Sequence, residues 1–219
     1  MPCKFDPQRP IIFECVERIQ KHHPKDSIVV VDSASEDKSY FKDLPSDVII
    51  MDVNNKNYGT NAFYLAWLKY PNEPFYYFVY DSLFLNNNIS HVEKDEFTCV
   101  RYFNTPDTGW GWNGNGESLH VWAEEQLKIH AGLDLPFPFR GIFGPMFFMS
   151  NDVMKRFIHS GFFNILSEDK FQLCGLERVA GIILQNMGID VMNSLQGEMT
   201  AFWGDYDETY VTKVNMARG

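Results

Sequence analysis

Short apolar runs alternate with helix-patterned segments along the first 85 residues, and this alternation limits the fold more than any other feature. SIVVVDSAS (27–35) reads as a short strand ending in Asp32 and a Ser-rich loop, and SDVIIMDV (46–53) as a second strand. Between and around them, IIFECVERIQKHH follows Pro10 as a helix. Its Ile11, Ile12, Cys15, Val16 and Ile19 share one face, and Pro24 stops it. NNKNYGTNAFYLAWLKYP gives a polar, Gly-containing turn and then a helix over about residues 60 to 70, closed by Pro71. FYYFVYDSLFL (75–85) is the third strand, with Asp81 at the end of an apolar run. Strands and helices at this spacing predict βαβ units: an α/β, Rossmann-like domain with a mostly parallel central sheet flanked by helices. Ligands of such sheets gather outside the carboxyl ends of the strands, so Asp32 and Asp81 are expected to face one crevice.

The second half is less regular. EFTCVRYFN (96–104) reads as a strand, TPDTGWGWNGNGES (105–118) as a long Gly- and Trp-rich loop, and SLHVWAEEQLKIHAGL as a helix. RGIFGPMFFMS (140–150) is a strand with glycines, followed by the helix NDVMKRFIHSG with Asn151 as its N-cap. CGLERVAGIILQNMG (174–188) is a strongly apolar helix, and IDVMNSLQGEMTAFWG a closing strand pair. No repeat or linker divides the sequence, so residues 1–219 read as a single domain, alone or as one module of a longer chain.

A net charge of −10 argues against a nucleic-acid backbone as partner, which calls for a basic footprint. Cys3, Cys15, Cys99 and Cys174 form no C-x-x-C pair and read as reduced thiols. MPCKFDPQRP lacks the apolar core of a signal peptide, and no run approaches the roughly 20 apolar residues of a membrane span. A cytoplasmic protein without a membrane span is the expectation.

The order of motifs resembles the nucleotide-sugar glycosyltransferases of the GT-A fold. VVVDSASED is similar to that superfamily's VVDDGSxD segment, NNKNYGTNAFYLA to its N-x-G-x-x-x-A segment, and Asp81 falls where its metal-binding D-x-D motif sits. GIFGPMFFMS looks like the Gly-rich acceptor-side strand, and Glu177-Arg178 stands where the family has its acidic catalytic-base motif. The resemblance spans roughly residues 11 to 203. It departs at two places. A GT-A domain begins with a strand before its first helix, which here would be missing, degenerate or folded into residues 1 to 5. The second acid of D-x-D is replaced by Leu83.

The resemblance implies an inverting transfer of a sugar from a nucleotide-sugar donor to a glycan or other carbohydrate acceptor, with a divalent metal, Mn or Mg, as the candidate cofactor. Asp81 would then be a metal ligand, or would accept hydrogen bonds from a ribose or sugar hydroxyl; the plain alternative is a carboxylate that caps the next turn through Ser82. Asp32 and Ser33 would meet the nucleoside, unless Asp32 simply holds its loop as an Asx-turn. Asn57 and Gly59 shape a turn near the same crevice, and Lys56 is within reach of a phosphate or merely solvated.

Glu177 is the candidate general base, because an inverting transfer needs a carboxylate to take the acceptor hydroxyl's proton. At a helix N-terminus it would be a solvated base whose charge the dipole stabilises; Glu168 and Asp169 are the alternatives. Trp110 and Trp112 would stack on a sugar or close over the donor, or else cover a sheet edge. Arg140, Gly144 and Trp203 complete the phosphate and acceptor side. His120 and His130 lie about 15 Å apart along their helix and make no metal pair, and His22-His23 reads as a solvated helix end. Two rival readings are a sugar nucleotidyltransferase, which would call for a basic Gly-rich phosphate loop not seen here, and a non-catalytic glycan- or nucleotide-binding protein on a decayed transferase fold.

Overall fold

A computed structural model describes residues 1–53, 59–104, 116–136, 138–199, 206–207 and 209–214. Lys56, Asn57, Trp110, Trp112 and Trp203 lie outside the described residues. In chain order the strands and α-helices are β1 (Pro2–Cys3), α1 (Ile11–His22), β2 (Val29–Asp32), β3 (Ile49–Met51), α2 (Thr60–Lys69), β4 (Phe75–Phe78), β5 (Leu83–Leu85), β6 (Phe97–Cys99), β7 (Tyr102–Asn104), α3 (Gly116–Gln126), β8 (Arg140–Ile142), β9 (Phe147–Ser150), α4 (Asn151–His159), α5 (Lys170–Asn186), β10 (Tyr206–Asp207) and β11 (Val211–Lys213). The chain divides into two compact units, residues 1–71, 78–91 and 201–219 in the first, and 72–77 and 92–200 in the second.

The first unit holds a parallel sheet in the order β1-β2-β3. Residues 2 and 3 thus supply a short strand ahead of the first helix, in register with Val31 and Asp32. Helix α2 covers the sheet, with Ala62 buried against Val31 and Met51. A second sheet, β10-β11-β5, is antiparallel. Helix α1 packs against β5 through its predicted face: Ile12, Cys15 and Val16 are buried, and the Cys15 thiol donates to the Leu83 carbonyl at 3.3 Å. The helix end is not solvated as expected. His23 is buried, its Nε2 accepting from the Ile89 N–H and its Nδ1 donating to Asp26, because a ring nitrogen that pins a backbone N–H cannot face water.

In the second unit β4, β9 and β6 form one sheet and β7-β8 a two-stranded pair; β6–β9 and β7–β8 run antiparallel. Helix α5 lies against β8 and α3. Gly181 permits the close approach: a Cβ there would sit 2.2 Å from the Arg140 carbonyl oxygen.

The fold is mixed α/β, with small sheets in place of one large, mostly parallel one. The reason is local. Three predicted strands are each broken by a turn, at 79–82, at 100–101 and at 143–146, so their halves join different sheets. Residues 189–199, expected in a closing strand pair, make two isolated bridges, Cys99 with Ser194 and Tyr102 with Glu198. The cap of α4 is also one residue earlier than expected: the Ser150 side chain accepts from the Val153 N–H, while the Asn151 N–H donates to Pro74. The four cysteines are buried thiols in no disulfide. Among the described residues no helix is long and apolar enough to cross a membrane.

Candidate functional site

Asp32 closes β2 and is fully buried. Its Oδ1 accepts from the Tyr40 hydroxyl at 2.9 Å, and its Oδ2 from the Ser35 N–H at 3.2 Å. Ser35 in turn accepts from the Phe5 N–H, and the Tyr40 ring stacks on Phe5 at 4.6 Å. Burial first, and then the neighbouring Cys3 and Asp32, push the Tyr40 phenol far above its ordinary range, so it stays a donor. This network fixes the loop after β2, where Ala34 adopts φ 58°. Ser33 donates its N–H to Cys3; its Oγ is sealed from solvent with no hydrogen-bond partner among the described residues. Lys38 stands over the same loop, 4.0 Å from Asp32 and hydrogen-bonded to Asp52, which raises its pKa.

Asp81 and Ser82 are buried in the turn between β4 and β5, which the Leu83 N–H closes onto the Tyr80 carbonyl at 3.0 Å. Gly59, at the start of α2, lies against Tyr80: a Cβ there would fall 1.9 Å from the ring. Ser82 is held from the end of the chain, its Oγ accepting from the Lys213 ammonium and its carbonyl from the Val214 N–H at 3.0 Å. Lys213 has no signal near Asp81 in the sequence; β11 delivers it by pairing with β5. The donor set for a divalent ion at this turn is one carboxylate and one hydroxyl, and Leu83 is fully buried. Mg needs about six oxygen ligands, several of them carboxylate, phosphate or water. Among the described residues no group of three or more His, Cys, Asp or Glu side chains is placed to hold a metal. One carboxylate beside a hydroxyl would leave most positions of such an ion to phosphate oxygens and water.

Glu177 belongs to the second unit, and there the expected position is corrected. Helix α5 begins at Lys170, with the Asp169 side chain accepting from the Gln172 N–H as N-cap. Asp169 is therefore the cap, and Glu177 lies about two turns further in, beyond the reach of the helix-end dipole. It is not solvated either, being 4% exposed. Oε1 accepts from the Gly144 N–H at 2.9 Å, while Oε2 is buried with no hydrogen-bond partner among the described residues. Burial pushes the carboxyl up to about 7, against the opposing pulls of Arg178 and the Gly144 N–H.

Gly144 presents its N–H from the turn between β8 and β9 at φ 64°, a backbone that favours glycine. Arg178 is buried beside it, donating to the Cys174 carbonyl at 2.9 Å with its guanidinium 5.5 Å from the centre of the Phe103 ring. His120, half-buried on α3, sits edge-on to Phe139 at 5.7 Å, and burial, with Arg178 nearby, lowers its pKa. Arg140 donates to Asn104 at 3.0 Å and its carbonyl accepts from Gln185 at 2.8 Å, so it serves as a brace between β8, β7 and α5.

The structure therefore groups Asp32 with Ser33, and Asp81 with Ser82, in the first unit, and Glu177 with Gly144 in the second. Tyr40 and Lys213 were not singled out from the sequence. No family model, curated protein or solved structure matches the chain.

Proposed function

We propose that the chain is a glycosyltransferase on a GT-A-like fold, moving a sugar from a nucleotide-sugar donor to a carbohydrate or glycan acceptor with inversion. The observation that carries this reading is the state of Glu177. A general base works best with a pKa near the operating pH. Burial gives this carboxyl a value of about 7, the Gly144 N–H clamps one oxygen, and the other has no hydrogen-bond partner among the described residues. Oε2 would take the acceptor hydroxyl's proton as that oxygen attacks the anomeric carbon, and the nucleoside diphosphate would depart with the bonding electrons. The short β1 strand supports the reading further, since it supplies an element that the resemblance calls for. Asp32 holds the loop that would meet the nucleoside. Asp81 would accept from a donor-sugar hydroxyl. Four buried thiols in no disulfide support a reducing, cytoplasmic setting.

A second reading, a nucleotide- or glycan-binding protein without turnover, is favoured by the single acid at the β4–β5 turn and by the full engagement of both Asp32 oxygens. Transfer and donor hydrolysis, followed with a panel of nucleotide sugars, separate the two. Under the transferase reading Glu177→Gln lowers turnover by about a hundredfold or more while donor affinity stays near wild type. Full turnover in that variant removes Glu177 as base. Donor binding with neither transfer nor hydrolysis in the wild type establishes the binder.

A further inference from the structure

The β4–β5 turn lacks the second acid of a metal site, and the fold places a cation there instead. Strand β11 pairs with β5 so that Lys213 stands directly across from Leu83, the position where the second carboxylate would be. Directly opposed residues of an antiparallel pair share a face. The Lys213 ammonium reaches Ser82 Oγ, and the Val214 N–H to Ser82 carbonyl bond extends the pairing by one residue. Asp81 and Lys213 both bear on the buried Cys15 thiol, in opposite senses, which puts the two charges in one neighbourhood.

Charge balance shows what this arrangement replaces. Two acids and a divalent ion make a neutral site, and so do one acid and one ammonium. A divalent ion added beside Lys213 would meet an ammonium rather than a second carboxylate. Lysine binds phosphate as a point charge, and a hydroxyl beside it adds a donor.

From this pairing we infer that Lys213, seated on Ser82 beside Asp81, is the chain's own counter-charge for a donor diphosphate, so that the site binds nucleoside diphosphate without a divalent metal. The inference rests on the transferase reading for its ligand.

The test is calorimetric titration of the full chain with UDP, GDP, CDP, ADP and dTDP, in EDTA and again with added manganese. At least one binds in EDTA, and manganese changes its affinity by less than about twofold. Lys213→Gln weakens that binding by about tenfold or more, as loss of a charged hydrogen bond does, and Lys213→Arg restores most of it. Circular dichroism confirms that Lys213→Gln is folded; if it is not, the wild-type EDTA and manganese arms together with Lys213→Arg decide. Binding that requires manganese, or undiminished binding by folded Lys213→Gln in EDTA, overturns the inference and leaves the transferase reading standing. Failure of all five nucleotides in both conditions overturns the two together.

Discussion

The backbone N–H of Gly144 donates to Oε1 of Glu177 at 2.9 Å and joins the turn after β8 to the middle of α5. One hydrogen bond does not compensate a carboxylate removed from water, so the proton is held to about pH 7.

That balance gives Glu177 a signature in stability. Its folded pKa of about 7 lies above the unfolded reference of 4.5. Between those values the native state binds the proton and the unfolded state releases it, so stability falls as pH rises through this window and levels off above it. Measured by urea denaturation, Glu177→Gln should match wild type near pH 4 and gain on it up to roughly 3 kcal/mol by pH 8. A difference between the two proteins that stays constant from pH 4 to 8 would show that Glu177 titrates alike in the folded and unfolded states.

Gly181 tests the contact of α5 with β8. Replacing a helical glycine with alanine ordinarily stabilises by about 1 kcal/mol. Here the new Cβ would lie 2.2 Å from the Arg140 carbonyl oxygen and 2.7 Å from the Gly141 Cα, both backbone atoms that cannot rotate away. Overpacking of this kind costs about 1–3 kcal/mol, and it should outweigh the propensity gain. Gly181→Ala is expected to lower the melting temperature; an equal or higher value would mean that the helix can stand off the strand freely.

The third prediction concerns Tyr40, whose hydroxyl supplies one of the two hydrogen bonds to buried Asp32 among the described residues. Tyr40→Phe keeps the ring stacked on Phe5 and deletes only the donor. Leaving a buried carboxylate oxygen unpaired should cost about 1–3 kcal/mol of unfolding free energy. Asp32→Asn combined with Tyr40→Phe should cost less than the sum of the single changes, since the two groups act as one unit. Strict additivity in that cycle would dissolve the network.

The local pattern of the sequence determined a good deal. The apolar face of α1 needs only helical spacing, so Ile12, Cys15 and Val16 were legible as its buried residues. Strands within SIVVVDSAS and SDVIIMDV were legible for a similar reason, because continuous Val and Ile favour an extended, buried backbone. Helix starts were less secure. Serine and asparagine both cap, and the choice of Ser150 over Asn151 depends on which side chain turns back to the helix. The same holds for α5, where placing the cap at Asp169 moved Glu177 from a helix end into a buried third turn.

Tertiary structure alone decided the rest, because the deciding contacts join residues far apart in the chain. A run such as FYYFVYDSLFL carries strand propensity throughout, and only its partners, β9 at one half and β11 at the other, split it at the Asp81 turn. Lys213 reaches Ser82 across 131 positions through a ladder register that no short-range pattern encodes. Glu177 carries the same side chain in any reading of the sequence. Its raised pKa comes from burial and from a single N–H of Gly144, and both arise only when α5 packs beside the β8–β9 turn.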